Sequence, residues 1–279
     1  MKDKISGTFT GERALFMARD KHITDSIFED GESPLKHSKD IDIDSTHFKW
    51  KYPIWYSDNV KVRDSVFFET ARAGIWYSNN ITVTDTEYIA PKGFRRCDRL
   101  TIENVNFPNA AETLWHCTNV KLKKLTAKGD YLAMNCENME IEKLDLDGNY
   151  SFDGARNVII RNSKLVSKDA FWNSKNITAE NCYINGEYLG WNSRRLTLIN
   201  CTIESLQALC YCEDLKLVNC RLINTTLAFE YSTVDADIAG SVDSINNPLS
   251  GTIRTEGIDE LIMESDKVDI SKTEFIYKT

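Results

Sequence analysis

The chain has 279 residues, 42% of them hydrophobic and 27% charged, with a formal net charge of −8. That balance argues against nucleic acid or an anionic membrane surface as the main partner, and no apolar run approaches the length of a membrane span. The opening Met1-Lys-Asp-Lys-Ile-Ser-Gly7 lacks the apolar core of a signal peptide and Ala14–Ala18 is too short to supply one, so a soluble cytoplasmic protein is the expectation.

Residues 1–19 precede the clear repeat and are expected to cap its first coil, shielding an edge that would otherwise recruit another chain. A corner position then recurs every 19 to 21 residues: Asp25, Asp44, Asp64, Asp85, Asn104, Lys124, Lys143, Asn162, Asn181, Asn200 and Asn219. Five residues earlier a second corner carries Asn59, Asn80, Asn119, Asn138, Asn157 and Asn176. The pattern is cleanest from Asn157 to Leu222, where the apolar residues often alternate at the period of a strand. A fixed period near 20 with one short strand motif per unit is the mark of a solenoid.

Each unit is too small to bury its own apolar face, so neighbouring coils must stack at about 4.7–4.9 Å. Asn and Asp tolerate the left-handed backbone of a tight corner, and stacked amides can bond along the axis as a ladder. Lys124 and Lys143 depart from the pattern, and there the turn is expected to relax. The fold class predicted is all-β: one single-stranded parallel β-helix over residues 1–279, with about eleven 19–21-residue coils in 20–232, then irregular coils and a C-terminal cap over 233–279. Such atypical ends argue against end-to-end stacking.

Eight cysteines need an explanation. Cys97, Cys117 and Cys136 form one column and Cys182, Cys201 and Cys220 another, while Ser57, Ser78, Ser174 and Ser193 stand at equivalent places in other coils. Interchange of Cys and Ser means a small, tightly packed position, so free buried thiols are expected. Stacked thiols without histidine make a row and not a tetrahedron, so neither metal nor cofactor is expected. Cys210-Tyr-Cys212 is the place to look for redox chemistry.

The third segment of each coil is the least monotonous. Leu35, Ile54, Ile75, Phe94, Leu114 and their successors form an inward column, and strand alternation turns the next column outward. That column reads Lys36, Trp55, Trp76, Arg95, Trp115, Met134, Asp153, Trp172, Trp191, Cys210 and Glu230, and holds five of the six tryptophans. A contiguous apolar strip on a soluble protein usually marks a binding site, and flat aromatic faces with a polar rim suit sugar rings. The alternative is a one-residue kink that turns the column inward as a second core stack.

Arg72, Lys92, Tyr188 and His116 complete the binding set. Two acid pairs, Glu112 with Asp130 and Asp169 with Glu187, lie on adjacent coils, where their carboxyls come within roughly the 5–9.5 Å of glycosidase pairs. One acid of a pair would need a raised pKa to protonate a leaving oxygen, and Asp153 in the outward column is a fifth catalytic candidate. Arg95 would hold a substrate carboxylate. The alternative for all the acids is a solvated face.

Several blocks, among them Gly11-Glu-Arg-Ala-Leu-Phe16, Ala71-Arg-Ala-Gly-Ile-Trp-Tyr77, Lys168-Asp-Ala-Phe-Trp172 and Gly186-Glu-Tyr-Leu-Gly-Trp191, resemble an uncharacterised bacterial family, a domain of unknown function with a pectate-lyase-like right-handed β-helix. The resemblance implies the fold and its hand; it implies polysaccharide chemistry only by association. Two functions follow: a hydrolase or lyase on an acidic carbohydrate, or a non-catalytic scaffold presenting the aromatic face to a glycan or protein partner. A filament former is a third.

Overall fold

The computed structural model describes residues 2–278, in two compact units that divide between residues 140 and 141. Each unit is a parallel β-solenoid, and the chain makes about fourteen turns, not eleven. The difference lies at both ends. Residues 2–19 are no cap: Asp3–Ile5 and Thr8–Phe9 are already strands, paired in register with Arg19–Thr24 and Ile27–Phe28. Beyond residue 233 the strands Thr233–Ile238, Ser250–Thr255 and Thr273–Tyr277 pair in parallel as the earlier ones do.

In the first unit the core is built from columns. Ile41, Val60, Ile81, Leu100 and Val120 stack in register along one side and are at most 1% exposed. On the second side Phe28, Phe48, Phe67 and Tyr88 stack ring on ring, with centroids 5.1, 4.5 and 4.3 Å apart. Leu35, Ile54, Ile75, Phe94 and Leu114 close the third side, all buried.

The second unit repeats the plan with aliphatic columns on its first two sides. Val158, Ile177 and Leu196 stack on its first side, and Leu165, Ile184 and Ile203 on its second.

The corners behave as their side chains dictate. Asn162, Asn181, Asn200 and Asn219 all take left-handed φ between 50° and 54°. Their amides form a ladder along the axis, each Nδ2 donating to the preceding Oδ1 at 3.4, 3.3 and 2.9 Å. Lys124 and Lys143 hold φ of 55° and 59°, so the turn does not relax there; in the second coil it is Ser45, not Asp44, that takes the left-handed corner. The strand to either side is hydrogen-bonded to its neighbours, and that geometry overrides the residue's own preference.

All eight cysteines are free and buried. Several members of the Cys/Ser column do more than fill space, donating to a carbonyl one turn back: Ser57 Oγ to Leu35 O at 2.8 Å, Cys97 Sγ to Ile75 O at 3.2 Å and Cys136 Sγ to Leu114 O at 2.8 Å. Burial pushes the Cys210 thiol up to about 12 and the Cys212 thiol up to about 11, which makes that pair a poor redox site.

Candidate functional site

The third side of each turn carries the predicted site residues, and its backbone takes two forms. In three turns of the first unit, Ile54–Trp55, Ile75–Trp76 and Phe94–Arg95 are short strands paired in register. From Glu112, Leu114 and His116 onward every other residue is left-handed instead, as at Asp169, Phe171 and Asn173, then Tyr188, Gly190 and Asn192. Both routes give in–out alternation. Trp55, Trp76, Trp115, Trp172 and Trp191 are accordingly half-buried on the outside rather than core. Cys210 breaks the column, being fully buried.

The facing sides of the indoles in the first unit are occupied by one another and by Arg95. Trp55 and Trp76 stack on each other at 5.2 Å and 6°, and the Arg95 guanidinium lies between Trp76 and Trp115, 4.4 and 4.5 Å from their ring centres. Each indole N–H donates to a main-chain carbonyl, Trp55 to Ala73, Trp76 to Lys92 and Trp115 to Tyr131, at 2.6–2.8 Å. The rings are thus stacked along the axis with their edges outward. A parallel column one residue on, His37, Tyr56 and Tyr77, stacks at 5.2 and 4.9 Å. Tyr56 and Tyr77 were not among the expected site residues; their signal was the repeated Trp-Tyr-Ser at 55–57 and 76–78.

Two of the expected site residues are engaged with each other. Arg95 already holds a carboxylate: its Nη2 donates to Glu112 Oε2 at 3.2 Å, and Lys92 Nζ lies 3.1 Å from Oε1 of the same group. Glu112 thus has both oxygens engaged by cations beside the indole–guanidinium stack. Its partner Asp130 meets it through the backbone, the Glu112 N–H donating to Asp130 O at 2.9 Å. His116 is held below the usual imidazole range by burial, then by Arg96 and Arg95, and so stays neutral near pH 7. Arg72 and Arg96 are exposed beside the stack.

In the second unit Glu187 pairs with Lys168 at 3.3 Å, and Lys168 also lies over the Tyr188 ring at 5.3 Å. Tyr188 meets Trp191 edge-on, and Trp191 packs on Tyr211 at 4.5 Å. Asp153 Oδ1 accepts from Asn173 Nδ2 at 3.2 Å. Asp169 is only 8% exposed, and its carboxyl is raised above the usual range by burial, with Lys168 opposing and Glu187 adding to the shift. A native carboxyl raised above its unfolded value stabilises the fold only while protonated, so this contribution is lost as pH rises through the native pKa. Asp169→Asn, which also tolerates the left-handed φ of 54°, is therefore expected to raise the thermal midpoint at pH 7. The gain should vanish below about pH 3.9, where an unfolded Asp is protonated as well; unfolding scans of both proteins across pH check it.

Seven basic residues on the third side of the first unit (Arg13, Lys36, Lys51, Arg72, Lys92, Arg95 and Arg96) face four acids (Glu12, Glu32, Glu112 and Asp130). In the second unit the balance reverses, with Asp153, Asp169, Glu187 and Glu230 against Lys168. An open groove of about 490 Å³ lies away from these columns, lined by Asp64, Asp85, Glu87, Asn104, Asn106 and Lys124. A smaller one of about 210 Å³ is bordered by Glu187, with Asn185, Glu204, Leu206 and Asn224. Among the described residues no group of three or more His, Cys, Asp or Glu is placed to hold a metal ion, and no helix is long and apolar enough to cross a membrane.

Solved structures with a similar chain path are right-handed β-helix proteins. They include PfbA, a surface adhesin of Streptococcus pneumoniae (10% identity, 94% of this chain and 81% of that chain, TM-score 0.41). The A-module of the mannuronan C-5 epimerase AlgE4 of Azotobacter vinelandii is another (7%, 98% and 87%, TM-score 0.31). A third is a mutant tailspike protein of E. coli bacteriophage HK620 in complex with a pentasaccharide (8%, 93% and 72%, TM-score 0.41). At such identities the likeness is one of fold alone. No curated protein matches the sequence. The profile of a family described as "Protein of unknown function (DUF3737)" matches residues 3–276.

Proposed function

The chain belongs to the DUF3737 family, and on that premise we propose that the third side of its first unit binds an acidic oligosaccharide without turning it over. The observation that carries this reading is the outward stack Trp55–Trp76–Arg95–Trp115, flanked by the exposed cations Arg72 and Arg96. Aromatic rings are negative on their faces and positive at their edges, so a stack that shows its edges adds to the basic excess around it. Such a surface favours a flat, hydroxylated ligand carrying carboxylates over a neutral one. Binding without turnover follows from Glu112, whose oxygens are already taken by Lys92 and Arg95.

The test is titration with an oligouronate and with a neutral oligosaccharide of the same length. Wild type is expected to bind the oligouronate, more weakly as salt rises. Arg72→Ala and Arg96→Asn should each lose about tenfold in affinity, roughly 1.4 kcal/mol. Equal binding of the neutral ligand, or an unchanged Kd in the double variant, would sink the proposal.

A second reading, proton transfer at the second unit, is favoured by the raised carboxyl of Asp169 beside Glu187. It requires new reducing ends or unsaturated products from a uronate panel with wild type and none with Asp169→Asn. No product from wild type ends it.

A further inference from the structure

We propose that the third side of the second unit holds a site for an alkylammonium group, formed by the rings of Trp191, Tyr211 and Tyr231 and the carboxylate of Glu230. The inference is independent of what the first unit binds.

The rings of the two units lie differently, and one residue accounts for it. In the first unit Trp55 and Trp76 stack at 6° and Tyr56 and Tyr77 at 7°, while Trp55 meets Tyr77 only edge-on, at 6.1 Å and 78°. Trp191 and Tyr211 stand in the same relation as Trp55 and Tyr77, one turn and one column apart, yet their centroids are 4.5 Å apart at 34°. The rung between is Trp76 in the one case and Cys210 in the other. Cys210 is fully buried, its Sγ 3.2 and 3.6 Å from the carbonyl oxygens of Gln207 and Ala208. The outer column therefore lacks a side chain at that rung, and Tyr211 leans across it onto Trp191.

Tyr211 also meets Tyr231 at 5.5 Å and 47°. Rings so inclined do not cover one another's faces, and Tyr211 stays 40% exposed. An aromatic ring is negative on its face and positive at its edge. This surface accordingly attracts cations, where the edge-on stack of the first unit repels them.

The chain already shows the pairing once. Glu187-Tyr188 and Glu230-Tyr231 are the same dipeptide on the same side, two turns apart. At the first, Lys168 Nζ lies 5.3 Å from the centre of the Tyr188 ring and 3.3 Å from Glu187, so ammonium, ring and carboxylate meet. At the second, rings and carboxylate are in place, and the chain supplies no ammonium. Glu230 Oε2 accepts from the neutral Gln207 amide at 3.0 Å, and among the described residues no basic side chain pairs with Glu230. Lys267, beside Tyr231, is bonded to Glu264 at 2.6 Å. The Tyr211 phenol is raised above its usual value by partial burial, then by Glu230 and Tyr231, which places that carboxylate against the rings. Ring faces recognise quaternary ammonium groups, and Glu230 supplies the counter-charge.

The test is proton NMR of choline, and of its uncharged analogue with carbon in place of nitrogen, titrated with the full chain at constant ionic strength. Wild type is expected to bind choline saturably and to move its methyl signal upfield, as protons over ring faces move. The uncharged analogue should bind about tenfold more weakly, because it keeps the shape and loses the attraction to ring faces and carboxylate. Tyr211→Phe should keep the affinity, since it keeps the ring face. Tyr211→Leu and Glu230→Gln should each weaken choline binding by about five- to tenfold. If Tyr211→Leu lowers the thermal midpoint, the comparison of Tyr211→Phe with Glu230→Gln decides instead. Absence of saturable choline binding to wild type would overturn the proposal. So would equal affinity for the uncharged analogue, which marks an apolar patch, or choline binding that survives Glu230→Gln unchanged, which marks a diffuse acidic surface.

Discussion

Phe67→Ala is expected to lower the unfolding free energy by about 3–5 kcal/mol, near the top of the range for a buried aromatic. Phe67 is 0% exposed, and its ring is sandwiched between Phe48 at 4.5 Å and Tyr88 at 4.3 Å. Truncation therefore removes two stacking contacts, each worth about 0.5–1.5 kcal/mol beyond area, as well as the transfer term. A cavity usually costs less when its walls can collapse, but here they cannot. The Val66 N–H donates to Thr46 O and the Glu87 N–H to Ser65 O, both at 3.0 Å, so main-chain bonds fix the spacing between turns. Phe9→Ala is the control: the same column, but a half-buried end ring with one neighbour, so the loss should be markedly smaller. Urea unfolding of the two variants measures the difference, with hydrogen exchange over 47–88 to locate it, because long repeat arrays can unfold in parts. A Phe67→Ala loss below about 1.5 kcal/mol would mean that neighbouring rings close the gap and that the column is not the rigid spine argued here.

That column also shows what could be read before any coordinates. Phe28, Phe48, Phe67 and Tyr88 sit three to four residues past the corners, and the fixed period makes them neighbours in space. The left-handed Asn corners were legible for the same reason: one residue type, one backbone conformation and one spacing. The ends were not, because regularity was inferred from Asn and Asp, and the first and last turns are built without them. Ile5 and Phe275 pair in register by backbone alone. On the third side, alternation told which residues face out but not how the rings lie. The stacking of Trp55 on Trp76 and the capture of Arg95 by Glu112 depend on side-chain torsions that no spacing encodes.

Gly251→Ala should be among the most damaging single substitutions in the second unit, at about 3 kcal/mol or more. Gly251 has φ of +124°, a region that side chains of L-residues rarely enter, and left-handed backbone alone costs a non-glycine residue roughly 1–2 kcal/mol. The added Cβ would also be driven into the carbonyl of Val234, its in-register partner one turn back, far inside van der Waals contact. Backbone cannot rotate away as a side chain can, so the strands must part, and overpacking of this kind adds about 1–3 kcal/mol. Gly240→Ala separates the two contributions. Gly240 has φ of +94° but nothing within 4 Å of the new methyl, so it should show the torsional cost alone. Thr273–Tyr277 rests on the strand that contains Gly251, so Gly251→Ala should raise hydrogen exchange across 250–277 while leaving the first unit unchanged. Equal destabilisation by the two alanines would show that the strand can shift to admit a methyl, and the tight register assigned to the last turns would then be wrong.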